Sequence, residues 1–480
     1  MKIHLLHTND IHSQIENYLR AGAKLRSMRT RFQAQGDPVL TFDLGDILDR
    51  VRPETEASLG RMNAKILGAL SVDGWVFGNN EGLTIPLEKW KSLAEDSKTC
   101  VFGTNVRQAD GTPFPFFTDT QVFDCGGALV GVFGLTPNYQ GPYGMLGVQV
   151  DDPFATAAHA VDMLTSRGCH IIICLSHLGL FNDHKLAERV PGIDVILGGH
   201  THQSMPEADY VGKTAIFQPG KHGFVFGHTT VEFDLSTKRV IQTISEPIRI
   251  DVHLPYDEEM YKVYKDMMVQ VENQLNTKVA KLDEILPVYF DRESMFANLL
   301  VDALFAAYPG DLGIMMSGAL SASLLDGEVH LKHVHGACPT PTRPIVMSLS
   351  GTDILSILEK GITEPYFHRQ GLGFGFRGAV VGYLALANVE VQLVKQFESV
   401  KVLSVRVGGE PLDTLRMYRV VTCEYLWLSP VFSEFKNGSD ILFGKPLVRE
   451  ILLDSLNNRD IVRHAHLQRY HIRVPSGSGQ

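Results

Sequence analysis

Between Met1 and about Ile250 the chain repeats one device: a short apolar, β-branched run stops at a polar side chain able to hold a metal ion. KIHLLHT is followed by Asp10 and His12, VLTFDLG by Asp46, WVFG by Asn79, HIIICLS by His177, and VILGG by His200 and His202. Helix-like stretches such as TEASLGRMNAKILGAL and FATAAHAVDMLTSRG lie between these runs, a rhythm that belongs to α/β layers. In such layers the loops after the strands' carboxyl ends converge on one crevice. The pattern therefore predicts that side chains as distant in sequence as Asp10 and His202 meet in one cluster.

The donor types fit a dinuclear centre. Mixed imidazole and oxygen ligands suit Mn, Zn, Co or Fe better than Mg, and two divalent cations ~3.5–4 Å apart call for a bridging carboxylate. Asp46 is the candidate bridge. The DxH spacing is expected to put Asp10 and His12 on one side of an extended segment, because side chains alternate along a strand, and HTH does the same for His200 and His202. Gly198 and Gly199 let the backbone turn closely around an ion.

At 480 residues the chain is long for one core, so two lobes are expected. The expected organisation is a catalytic domain over 1–250, a linker helix over 251–280 and a substrate-binding domain over 281–480. The helix is read from HLPYDEEMYKVYKDMMVQVENQLNTK, with Pro255 near its start and Met260, Val263, Met267 and Val271 at helical spacing. A composition of 44% hydrophobic and 20% charged residues supports ordinary cores without disulfides. The net charge of -10 argues against a nucleic-acid polymer or an anionic membrane as partner. A small anionic substrate then needs local metal or arginine.

Cys100, Cys125, Cys169, Cys174, Cys338 and Cys423 form no CxxC pair and read as buried thiols of a reducing compartment. MKIHLLHTND carries no signal-peptide pattern. The longest apolar runs fall short of the ~20 residues that span a bilayer. The expected location is the cytoplasm.

TNDIH, FDLGDILD, GNNEG, SHLG and GGHTH, in that order, resemble the five signatures of the calcineurin-like metallophosphoesterase superfamily. The branch resembled is the 5′-nucleotidase family, and NLLVDAL and MMSGAL are similar to its C-terminal nucleotide-binding domain. The resemblance implies a four-layer α/β sandwich joined by a helix to an α+β lobe. It also implies that Asp10, His12 and His202 serve one metal, that Asn79, His177 and His200 serve the other, and that Asp46 bridges them. The implied reaction is hydrolysis of nucleoside 5′-monophosphates by a hydroxide bridging the metals. Alternatives are a cyclic-nucleotide phosphodiesterase or nucleotide-sugar pyrophosphatase on the same site, or a nucleotide-binding protein with weak turnover.

One position departs from the family. Where its members read GNHE, this chain has Asn80, whose amide can donate a hydrogen bond to a developing phosphoryl charge but cannot deliver a proton. His12 is the imidazole expected to assist instead. For substrate binding, the resemblance implies a clamp of two aromatic rings on the base: GFGFRG lies where the family has a substrate loop and would bring Phe374, Phe376 and Arg377 to it, with Phe432 or Phe435 the candidate second ring. Arg343 and Arg377 are candidate forked donors to phosphate or ribose. HLKHVHGAC lacks a second cluster to close a zinc site, and His333 and His335 are expected on one face of a strand edge.

Overall fold

The computed structural model describes residues 1–373, 375–396 and 399–473. It divides into two compact units, Met1–Glu272 and Asn273 onward, and the division falls inside the helix Glu258–Leu275.

The first unit is built on two six-stranded sheets. One takes, in spatial order, Arg239–Arg249, Val225–Asp234, Lys2–Thr8, Val39–Asp43, Gly74–Val76 and Cys100–Phe102; the last four run parallel. The other takes Asp209–Val211, Thr214–Phe217, Val195–Gly198, Ile171–Ser176, Ala128–Leu135 and Thr120–Cys125, with its four central strands parallel. Alternation along the strands decides the layering. Ile171, Ile173 and Leu175 pack with Val130, Val132, Leu5 and Phe42 between the sheets. Ile172 and Cys174 face the other way, onto Ala157, Ala160 and Leu164 of the helix Pro153–Ser166 and Leu186 of the helix Leu180–Arg189. On the first sheet, the helix Ile15–Ala34 packs on Val39–Asp43 and on the helix Arg61–Leu70. The order is therefore helix, sheet, sheet, helix, and strands buried on both faces explain the continuous apolar runs.

The helix Glu258–Leu275 buries Met260, Met267 and Val271, as its spacing predicts. Asp257 accepts from the backbone N–H of Met260 and is gripped by the Arg26 guanidinium at 2.6 and 3.1 Å. Met260 seats against Gly22, where a Cβ would lie 2.2 Å from its sulfur.

The second unit has its own core around the helix Met295–Ala307, buried on almost every side. A five-stranded sheet orders Leu384–Ala387, Leu312–Met316, Met417–Cys423, Pro344–Ser350 and Ser439–Phe443. A four-stranded sheet orders Glu410–Pro411, Ser399–Val407, Val389–Gln396 and Tyr470–Arg473. The HLKHVHGAC segment corrects the strand reading: Leu331–Ala337 is a helix, so His333 and His335 do not share a face. Its apolar residues Val334 and Ala337 recur at helical spacing and are buried, which outweighs the alternating histidines. His333 Nδ1 accepts from the His330 backbone N–H, and His335 is buried.

Candidate metal centre

Five parallel strands of the first unit lead directly into the expected donors. Asp10 and His12 follow Lys2–Thr8, Asp46 follows Val39–Asp43, Asn79 follows Gly74–Val76, His177 follows Ile171–Ser176, and His200 and His202 follow Val195–Gly198. What turns the side chains together is not the extended alternation read from DxH and HTH. Asp10, His12, Asp46, His200 and His202 all take left-handed backbone conformations, with φ from 46° to 76°. Non-glycine residues enter this region at a cost and concentrate at functional sites. The loops coil, so residues that alternation would place along one edge are wound around a centre.

Two groups of donors result. Asp10, His12 and His202 offer atoms within 4.8 Å of one another, and so do Asp46, His177 and His200. His12 Nε2 lies 3.0 Å from His202 Nε2, and His202 Nε2 lies 3.5 Å from Asp10 Oδ1. Asp46 sits between the groups, with Oδ1 3.3 Å from His177 Nε2 and Oδ2 3.8 Å from His12 Nε2. Among the described residues, no further set of three His, Cys, Asp or Glu side chains closes in this way.

The electrostatics favour a cation. Burial drives both Asp10 and Asp46 upward, but surrounding imidazoles outweigh it: His202, His177 and His12 around Asp10, and His177 and His12 around Asp46, hold both carboxyls below their ordinary range. The Asn80 backbone N–H also donates to Asp46 Oδ1 at 2.8 Å. His177 is pushed up to about 10 because Asp46 and Asp10 overcome its burial. Asn79 Oδ1 is buried without a hydrogen-bond partner. Two ionised carboxylates set among imidazoles, with an unsatisfied amide oxygen on the neighbouring residue of the motif, fit a divalent cation, whose charge would replace the proton on His177.

Neighbouring groups hold the donors in place. His177 Nδ1 lies 2.6 Å from the Leu44 carbonyl, which fixes Nε2 toward the cluster. The His200 backbone N–H donates to Asp10 Oδ2 at 2.9 Å. Glu81, buried, accepts from the backbone N–H groups of Asp46, Leu48 and Gly78 and so ties the Asp46 loop to the Asn79 helix. Gly78 is required there, since a Cβ would lie 2.1 Å from Asp46 Oδ1.

Other side chains depart from expectation. The Asn80 amide does not point into the cluster: its Nδ2 lies 2.9 Å from His12 Nδ1 and donates to the Leu48 carbonyl at 3.0 Å. With Asp49 Oδ2 3.7 Å from the same His12 nitrogen, it sets the orientation of that ring. His12 itself turns Nε2 to the cluster, so it stands as a donor atom rather than a proton carrier. Phe432 and Phe435, expected as a base clamp, are core residues, Phe432 stacked on Tyr366 at 5.3 Å between centroids. Phe376 is buried against Tyr425 at 4.5 Å, in space kept open by Gly371 and Gly378. Arg343 is buried, with its guanidinium on the Gly444 and Lys445 carbonyls, so its charge is satisfied by backbone rather than aimed at phosphate. Arg377 is exposed and donates to the Phe376 carbonyl. Phe374 lies outside the described residues.

Three residues at the cluster were not singled out in the sequence. Tyr139 Oη lies 3.0 Å from His200 Nε2, and Lys221 Nζ lies 3.3 Å from His202 Nδ1. His222 donates its backbone N–H to the Asp10 carbonyl and stands its ring 5.7 Å from that of His12. All three follow strand ends, Tyr139 after Ala128–Leu135 and the other two after Thr214–Phe217, and that position was the available signal.

Deeper in the unit, Asp183 accepts from Ser176 Oγ at 2.5 Å and from Gln218 Nε2 at 2.9 Å, and burial pushes its carboxyl up to about 7. An unfolded carboxyl titrates near pH ~3.9. Between about 4 and about 7 the folded chain therefore keeps a proton that the unfolded chain has lost, and this group's contribution falls as pH rises through that window. Asp183→Asn should gain stability relative to the unaltered chain between the two limits, read by denaturant unfolding at each pH. A difference that stays constant rejects the assignment.

A two-sheet sandwich carrying imidazole and carboxylate donors at its strand ends is built to hold metal ions. The calcineurin-like phosphoesterase model matches residues 3–204, and the 5′-nucleotidase C-terminal domain model matches residues 278–429. The chain is 28% identical over 456 residues to the uncharacterized metallophosphoesterase YunD of Bacillus subtilis (strain 168), covering 94% of this chain and 98% of YunD. It is 23% identical over 484 residues to a 5′-nucleotidase of Vibrio vulnificus (strain CMCP6), covering 88% of this chain and 84% of that protein. A putative 5′-nucleotidase from Staphylococcus aureus, solved in complex with alpha-ketoglutarate, superposes with a TM-score of 0.69 at 17% identity, over 99% of this chain and 100% of that one. The chain thus carries a calcineurin-like phosphoesterase domain followed by a 5′-nucleotidase C-terminal domain, families of metal-dependent hydrolases.

Proposed function

We propose that the protein is a 5′-nucleotidase that hydrolyses nucleoside 5′-monophosphates with two divalent cations, drawn from Mn, Zn, Co or Fe. The observation that carries this reading is Asp46, whose two oxygens face the two donor groups separately. Asp10, His12 and His202 would hold one cation, and Asn79, His177 and His200 the other. A bound pair supplies Lewis acidity toward the phosphoryl oxygens and acidifies water. The protein's own part is to hold the donors in place. Glu81 locks the Asp46 loop, the Leu44 carbonyl orients His177, and Asn80 with Asp49 orients His12. The Vibrio relative, a 5′-nucleotidase, supports the substrate class. The six free cysteines support a reducing, cytoplasmic location. No helix among the described residues is long and apolar enough to cross a membrane.

A phosphate-release panel tests the substrate. Nucleoside 5′-monophosphates, cyclic nucleotides, nucleotide sugars and aryl phosphates are each assayed with Mn, Zn, Co and Mg. Phosphate should appear fastest from the nucleoside monophosphates among the natural esters. Turnover confined to cyclic nucleotides or nucleotide sugars would replace the reading with a diesterase or pyrophosphatase.

A further inference from the structure

The Asn80 amide is turned beneath His12, so the donor that this family places after its motif asparagine is missing from the substrate side. The same motif carries a second peculiarity, Gly82. A Cβ there would lie 2.1 Å from the Tyr143 hydroxyl, so the glycine makes room for a large buried ring. Tyr143 lies in the helix Gln140–Leu146, which packs on the helix Asn79–Thr84 that begins with a candidate ligand. The loop leading into Gln140–Leu146 is pinned as well, because Thr136 Oγ1 donates to the Phe77 carbonyl at 2.7 Å. Tyr139 ends that loop, and the Tyr143 backbone N–H bonds its carbonyl at 3.0 Å. Its phenol is thereby delivered to His200 Nε2 at 3.0 Å while the residue stays 39% exposed.

The hydrogen count at this contact is informative. A phenol has one O–H to give and lone pairs to receive. Tyr139 occupies Nε2 of His200, which leaves Nδ1 as the nitrogen available to a cation. An imidazole that gives one nitrogen to a metal keeps its proton on the other. That proton then points at the Tyr139 oxygen, and the phenol's own O–H is free for the open side. An ordinary phenol titrates near ~10, so at neutral pH it keeps the hydrogen it would donate.

We propose that Tyr139 donates a hydrogen bond to the phosphoryl group of the substrate, a role not open to the Asn80 amide, which is turned onto His12 and the Leu48 carbonyl. The inference rests on the phosphohydrolase reading above. It makes GNNEG and LTPNY one joint adaptation: Gly82 seats Tyr143, and Tyr143 positions the turn that carries Tyr139.

The test is Tyr139→Phe, which keeps the ring and removes only the hydroxyl. Both proteins are loaded with Mn, their metal content is measured, and inorganic phosphate is titrated calorimetrically alongside assays of phosphate release. Metal content should match, phosphate should bind on the order of 10-fold more weakly, and kcat should fall by roughly 10²–10³-fold, the loss seen when one oxyanion donor is removed. Equal phosphate affinity and equal kcat would overturn the proposal while leaving the phosphohydrolase reading intact. Lost metal, with both properties restored at saturating Mn, would also overturn it, because Tyr139 would then only orient His200. If the unaltered protein neither binds nor releases phosphate, both the proposal and the reading beneath it fall.

Discussion

Asp46→Asn is expected to lose bound metal from both donor groups at once and to lower phosphate release by on the order of 10³-fold or more, beyond the ~10–100-fold usual for partners outside the coordination shell. The reason is geometric. Asp46 Oδ1 faces His177 and Oδ2 faces His12, so one side chain serves both groups. The neighbouring imidazoles and the Asn80 N–H hold it ionised against burial. An amide of the same shape brings one neutral oxygen and an NH₂ that cannot accept a metal bond. Elemental analysis after dialysis separates this from a folding defect, provided the thermal transition is unchanged. A variant that keeps its metal and its rate would show that Asp46 does not bridge.

Glu81→Ala should be nearly as damaging although Glu81 is no ligand. Its carboxyl receives three buried backbone N–H groups, those of Asp46, Leu48 and Gly78. Leaving a buried donor unpaired costs ~1–3 kcal/mol, so a loss of roughly 3–5 kcal/mol is expected if water enters to relieve part of it. Metal affinity should fall with it, since Asp46 and Asn79 are the residues these bonds align. Glu81→Gln keeps one acceptor oxygen and should fall between the two. Denaturant unfolding and metal titration of the three proteins provide the check; equal stability of the alanine variant would place the organising bonds elsewhere.

The comparison of sequence with structure separates two kinds of information. Strand ends were legible because a buried parallel strand must be apolar and must stop where a polar residue begins, so Asp10, Asp46, Asn79, His177 and His200 could be assigned to one rim. The backbone path on that rim was not legible. Alternation predicts an extended DxH, whereas Asp10 and His12 both take left-handed φ, a state uncommon for any residue but glycine and not marked by the DxH spacing. Aromatic residues fared worst. Phe376, Phe432 and Phe435 looked available in GFGFRG and VFSEF, yet each fills the core of the second unit, because a ring near glycines reads the same whether it meets a ligand or another ring. Tyr139 and Lys221 escaped notice for the opposite reason. A single tyrosine or lysine after a strand carries no spacing signature, and only the fold brings it against His200 or His202.

We propose that a pair of cations held across Asp46 drives phosphate ester hydrolysis. It is tested most directly by stripping the protein with chelator and following phosphate release from AMP as Mn, Zn or Co is added back. The stripped chain should release no phosphate, release should rise and level off at two cations per chain, and Asp46→Asn should show no such rise. Full release in excess chelator, or a rise complete at one cation and unaffected by Asp46→Asn, would contradict it.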